Sequence, residues 1–241
     1  MTQLSRPSLI ETMRADAAGQ IPLLPYHLRR LEHSTQALGY AYPGREAIVA
    51  ALHAGLEAAT AAVAKDKDTT TLAATTPTAI RVRLLLGPSG QLSIETAPLP
   101  ALQGVPFIAL TREPLESAEP LLQHKTTHRP WYDAATKWLA QHPDYFDLIF
   151  LNEKGELCEG SRSNIYVFKN GQWLTPPLSS GLLGGVMRTQ LLETGQAKEA
   201  VLTPSDLDIT DATHTGKTPI RLSNALRGWF DVRLSPSFLP G

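Results

Sequence analysis

The sequence predicts an α+β protein of two lobes: a small N-terminal α/β sandwich, then a larger, mostly antiparallel β lobe with flanking helices. Three observations predict it. Two apolar stripes at helical spacing lie before residue 65, an alternating strand with a hairpin follows them, and beyond residue 140 short apolar and aromatic runs alternate with turn residues.

In chain order, Ser8 to Met13 reads as a short apolar start. Leu28, Leu31 and Leu38 then mark an amphipathic helix ending at Gly39, and Ile48, Val49, Leu52, Leu56, Ala59 and Val63 mark a second. Lys65 to Thr78 lacks periodicity and reads as a loop. Thr78 to Leu86 alternates, with Ile80, Val82 and Leu84 on one face and Arg81, Arg83 and Leu85 on the other. Gly87 to Gly90 turns this strand into Gln91 to Thr96, and Phe107 to Leu110 is read as one more strand of the first lobe. The first lobe is thus expected over residues 1–110, and the proline- and glutamate-containing stretch 111–120 as an exposed linker.

The second lobe, residues 121–241, opens with a helix begun by Pro130 whose expected buried side is Trp131, Ala134, Ala135 and Trp138. The apolar run Asp147 to Asn152, a turn at Glu153 to Glu156, and a strand over Asn164 to Phe168 follow. Asn170-Gly171 is the strongest hairpin signal, with Trp173-Leu174 on the return strand. A glycine-rich stretch, Ser179 to Gly185, leads into a helix over Val186 to Glu193, and a last strand is expected at Pro219 to Ser223.

Composition excludes several classes. With 22 Lys plus Arg against 23 Asp plus Glu, the net charge of -1 gives no global field for nucleic acid or anionic lipid. No stretch approaches the roughly 20 apolar residues of a membrane span. The single cysteine, Cys158, cannot form an intramolecular disulfide or a thiolate metal site, and the seven histidines lack metal-binding spacing, so no metal is expected. Together with the absence of a leader-like N-terminus, this composition leads us to expect a cytoplasmic protein.

Three stretches could carry chemistry. Lys125 has Arg129 and two histidines near it and no acid between Glu119 and Asp133; neighbouring cations favour the neutral, nucleophilic amine that a Schiff base needs. Glu159 precedes a strand of β-branched and aromatic residues, where a carboxylate could pair with a protonated ring nitrogen, as in pyridoxal-phosphate sites. Gly181, Gly184 and Gly185 precede a helix start, which makes an anion cradle. Judged singly, these stretches also read as a basic loop, a capped turn and a flexible turn.

Taken in order, HLRRLEHS (27–34), HKTTHRPWYDAA (124–135), NEKGELCEGSRSNIYV (152–167), PPLSSGLLGGVMR (176–188) and LSNALRG (222–228) resemble the fold-type IV pyridoxal-phosphate enzymes. The likeness runs from about Leu9 to Leu234. It implies pyridoxal 5'-phosphate as cofactor, with Lys125 as Schiff-base lysine and proton shuttle and Glu159 as partner of the ring nitrogen. It further implies phosphate contacts from Arg30, Val186, Met187, Asn224 and Ala225. Homodimerisation is implied as well.

Within that family the wording of LIETMR (9–14), HKTT and NALRG is most similar to aminodeoxychorismate lyases, especially forms fused behind the chorismate-aminating synthase component. That likeness implies elimination of pyruvate from 4-amino-4-deoxychorismate to give 4-aminobenzoate for folate synthesis, with functional coupling to the synthase component. Thr12 matches a threonine that helps protonate the departing enolpyruvyl group, and Arg83, with Arg14 and Arg81, would hold substrate carboxylates. The alternative within the same chemistry is an aminotransferase acting on branched-chain or D-amino acids or amines.

Overall fold

The computed structural model describes residues 6–66, 79–207 and 218–239. Most of the loop expected over Lys65 to Thr78 lies outside these residues. The chain divides into two compact units, one of Met1–Ala101 with Lys125–His128, the other of Leu102–His124 with Arg129–Gly241.

In the first unit, β1 (Leu9–Asp16), β2 (Ala79–Leu86) and β3 (Leu92–Pro98) form an antiparallel sheet in that order. Helices α1 (Leu24–Leu38) and α2 (Arg45–Asp66) cover one face. Strand alternation decides which residues meet them: Leu9, Met13 and Ala15 of β1 and Val82, Leu84 and Leu86 of β2 join Leu28, Leu31, Ile48, Leu52 and Leu56 in one core. Each of these side chains larger than alanine contributes on the order of 1.5–3 kcal/mol of burial. Helix α1 ends where expected, because Gly39 takes the left-handed conformation (φ 63°) that closes a helix without steric cost. Glu11 occupies a position on this core face and is only 2% exposed, which local patterning does not anticipate.

In the second unit, β4 (Phe107–Thr111), β5 (Tyr145–Leu151), β6 (Leu157–Gly160), β7 (Asn164–Lys169), β10 (Ile220–Asn224) and β11 (Gly228–Leu239) close into a ring through the β10–β7 pairing. β8 (Gln172–Thr175) and β9 (Lys198–Glu199) extend it beyond β7. Antiparallel pairs predominate, but β4 runs parallel to both β5 and β11. Ile108, Leu110, Ile149, Leu157, Ile165, Val167, Ile220, Leu222 and Val232 share one cluster to which all six ring strands contribute, as closure requires. Helix α3 (Asp133–Gln141) packs on Ala109, Leu148, Phe150 and Cys158, and α4 (Val186–Glu193) lies near Tyr166.

Several expectations differ from this arrangement. The strand at Phe107 pairs in the second sheet, so the units part at Ala101 rather than near residue 110. The stretch 111–120 is not wholly exposed, since Leu115 is buried and bridges to Asn152. The helix after Pro130 buries Tyr132, Ala135 and Leu139, while Ala134 faces solvent, because a 3-10 turn over Pro130–Tyr132 rotates the start of the stripe. The last strand is β11. Among the described residues no helix is long and apolar enough to cross a membrane.

Candidate active-site residues

Lys125 belongs to the first unit because its backbone extends the sheet. The Ile10 N–H donates to the Lys125 carbonyl at 2.7 Å, the Thr127 N–H donates to the Ser8 carbonyl at 2.8 Å, and Leu9 bridges Thr126 in antiparallel register. Residues opposite one another across such a pair share a face, and neighbours alternate. Lys125 therefore lies on the Ile10 side of β1, the face that carries Thr12 and Arg14. Register brings further residues to that face: Thr12 is opposite Arg83, and Arg14 is opposite Arg81. Lys125, Thr12, Arg83, Arg14 and Arg81 are thus brought to one side of one small sheet. The Arg83 Nε–H is shielded from solvent and has no hydrogen-bond partner, whereas Arg14 is exposed.

On the other face of β1, Glu11 meets α1. Arg30 donates to its carboxylate through Nε (2.9 Å, to Oε1) and Nη2 (2.6 Å, to Oε2), and His27 Nδ1 lies 2.5 Å from Oε2. Burial alone would raise the pKa of Glu11, but the charges and hydrogen bonds of Arg30 and His27 override it and hold the carboxyl at about 2. Burial pushes His27 below its ordinary value, with the Glu11 contact opposing and the Arg30 and Lys125 charges adding to the shift. Beside a carboxylate, the Nδ1 of this ring carries a proton. Its Nε2 is buried without a hydrogen-bond partner. The family resemblance named Arg30 without its partners Glu11 and His27.

In the second unit, Glu159 is 3% exposed at the end of β6. Its Oε1 accepts the Tyr132 hydroxyl at 2.7 Å and the Leu183 N–H at 3.0 Å, while Asn164 Nδ2 approaches Oε2 at 3.3 Å. Tyr132 was not among the expected site residues. Burial, reinforced by the Glu159 charge, pushes its phenol well above the ordinary value, so it acts as a fixed donor. The Arg129 guanidinium lies 4.4 Å from the centre of its ring.

Val186 and Met187 open α4, where the first amides have no intrahelical acceptor. Gly185 precedes them, and a Cβ there would fall 2.1 Å from Asn164 Oδ1, so the close approach requires glycine. Asn224 ends β10 and shapes the next turn, its Oδ1 accepting the N–H groups of Leu226 (3.1 Å) and Arg227 (2.9 Å). Ala225 lies within that turn. This donor set fits a protonated aromatic nitrogen and a phosphate: a buried carboxylate held by neutral donors for the first, glycine-flanked helix amides for the second.

Comparison with known proteins agrees. Residues 8–234 match the family described as amino-transferase class IV. A Schizosaccharomyces pombe protein named "Putative aminodeoxychorismate lyase" is 31% identical over 199 residues, which are 81% of this chain and 78% of that one. The structure of a "Putative amino-acid aminotransferase" from Mesorhizobium loti is 31% identical with a TM-score of 0.78, covering 95% of this chain and all of that one (100%). A "hypothetical aminotransferase" from Mycobacterium tuberculosis in PLP-bound form shares the fold at 22% identity, with a TM-score of 0.71 over 97% of this chain and 83% of that one.

Proposed function

Because this chain belongs to the class IV aminotransferase family, we propose that it is a pyridoxal-phosphate enzyme that eliminates pyruvate from 4-amino-4-deoxychorismate to give 4-aminobenzoate. The observation that carries the reading is the single sheet face shared by Lys125, Thr12 and Arg83, with the Arg83 Nε–H buried and unpartnered. A guanidinium in that state has the geometry to take a carboxylate, and this substrate has two.

Pyridoxal phosphate, when bound, supplies an electron sink for a carbanion at the carbon bearing nitrogen. Lys125 would hold the cofactor through its side-chain amine and would take the proton from that carbon. Glu159 would pair with the protonated ring nitrogen. Arg30, Val186, Met187, Asn224 and Ala225 would hold the phosphate, Arg30 with its guanidinium oriented by Glu11. Arg83, with Arg81 and Arg14, orients the carboxylates. The Thr12 hydroxyl supplies a hydrogen bond to the enolpyruvyl group as its carbon–oxygen bond to the ring breaks. Loss of that proton and of pyruvate leaves an aromatic ring, which drives the reaction. The enzyme acts as a homodimer in folate synthesis, supplied by an aminodeoxychorismate synthase component.

The likeness to the Mesorhizobium loti protein favours a second reading, transamination of amino acids or amines. One assay separates the two. The lyase releases pyruvate from aminodeoxychorismate with no keto-acid acceptor, whereas turnover that depends on an acceptor and yields a new amino acid assigns the transaminase. For the lyase, Arg83→Gln should raise KM about tenfold to a hundredfold while changing kcat less, because a carboxylate contact is made in ground and transition states alike. An unchanged KM would remove Arg83 from the substrate site.

A further inference from the structure

Asp147 is a fully buried acid that accepts five hydrogen bonds and has no part in the chemistry above. It lies on β5, two residues before Ile149 and so on the same side of the strand, and is 0% exposed. Oδ1 accepts the Leu148 N–H (3.0 Å), the Ser161 N–H (2.9 Å) and the Ser161 hydroxyl (2.7 Å); Oδ2 accepts the Arg162 N–H (3.1 Å) and the Ser163 hydroxyl (2.6 Å). A carboxylate offers about four lone-pair sites, so five donors leave it none for substrate. What it does is hold a turn. The Gly160 N–H closes that turn on the Ser163 carbonyl at 2.7 Å, and a Cβ at Gly160 would fall 2.2 Å from Asp147 Oδ2.

The turn in turn holds residues on both sides of it. Glu159 is its immediate neighbour and pairs with Asn164 across it. The Ser161 carbonyl accepts Arg129 Nη1 at 3.1 Å, and Arg129 stacks on the Tyr132 ring whose hydroxyl donates to Glu159. The Arg162 carbonyl accepts Asn224 Nδ2 at 3.2 Å, and Asn224 in turn orders the amides of the turn that contains Ala225. The geometry points to Asp147 as a positioning residue that couples the ring-nitrogen contact at Glu159 to the phosphate contact at Asn224. One buried carboxylate sets both from the inside of the 160–163 turn. Serine and arginine in this turn, which a motif reading leaves without work, become its donors.

This inference rests on the proposed cofactor reading, and the experiment separates the two. Wild type, Asp147→Asn and Ser163→Ala are titrated with pyridoxal 5'-phosphate and with pyridoxal, each without substrate, and circular dichroism of the ligand-free proteins reports folding. Asp147→Asn keeps the shape but removes an acceptor, and losing a charged hydrogen bond at the hub should weaken pyridoxal 5'-phosphate binding about tenfold or more. The preference for the phosphorylated ligand should also shrink, because the Asn224 arm loses its anchor. Ser163→Ala, which removes a single donor and keeps the turn backbone, should move both quantities in the same direction by a smaller factor, and it decides the matter should Asp147→Asn fail to fold. A preference unchanged from wild type in the folded variants overturns the role of Asp147. A wild type that binds neither ligand overturns the cofactor reading itself.

Discussion

Replacing Lys125 with alanine is expected to reduce pyruvate release by about 10^3-fold or more and to remove the visible absorption of the bound cofactor. The loss would be chemical rather than structural. Lys125 joins the sheet through its carbonyl, which accepts the Ile10 N–H, and the flanking bond from the Thr127 N–H to the Ser8 carbonyl also spares the side chain. Alanine leaves both in place. The backbone pairing of this segment should therefore survive, as circular dichroism of the ligand-free protein would show, while activity collapses, and added small primary amines should restore part of it by taking the proton in place of the missing side chain. A variant that keeps more than about a tenth of wild-type turnover would show that another base does the work.

Lys125 was legible in the sequence for a local reason, its acid-free neighbourhood, and the helix Val186–Glu193 for another, the glycines that precede it. The pairing of Arg83 with Thr12 was half legible. Alternation puts Arg81 and Arg83 on one face of β2, but only register with β1 brings Thr12 and Arg14 opposite them. β1 itself read as no more than a short apolar start, since Glu11 interrupts its buried positions, and the residues that satisfy Glu11 lie 16 and 19 positions away. β11 was missed because Trp229 and Phe230 are both half-buried, which hides the period of two. Closure of the ring through β10 and β7 joins strands over fifty residues apart, and no local pattern encodes such a pairing. Asp147 reads as the polar edge of an apolar run because four of its five donors come from the turn between two other strands.

Glu11 should carry the largest single effect on stability. A carboxyl held at about 2 in the folded chain, against 4.5 for an ordinary glutamate, corresponds to about 3 kcal/mol at neutral pH. Because the folded pKa is the lower one, this contribution is complete above about 4.5 and is lost as pH falls toward 2. Glu11→Ala leaves the Arg30 guanidinium, 13% exposed, without its counter-charge and His27 Nδ1 without its acceptor, so the expected cost in urea unfolding at pH 7 is about 3–5 kcal/mol. The difference between wild type and Glu11→Ala should narrow as pH drops through that window; a constant gap would mean that the carboxylate is not the source. The double variant Glu11→Met with Arg30→Met distinguishes stability from function. A buried ion pair replaced by apolar side chains of similar volume is often neutral or stabilising, so the double variant should regain the part of the loss that comes from the unpaired Arg30 charge. If Arg30 holds the cofactor phosphate, however, it should still bind pyridoxal 5'-phosphate poorly. A protein restored in stability and in affinity together would confine the pair to the core of the first unit.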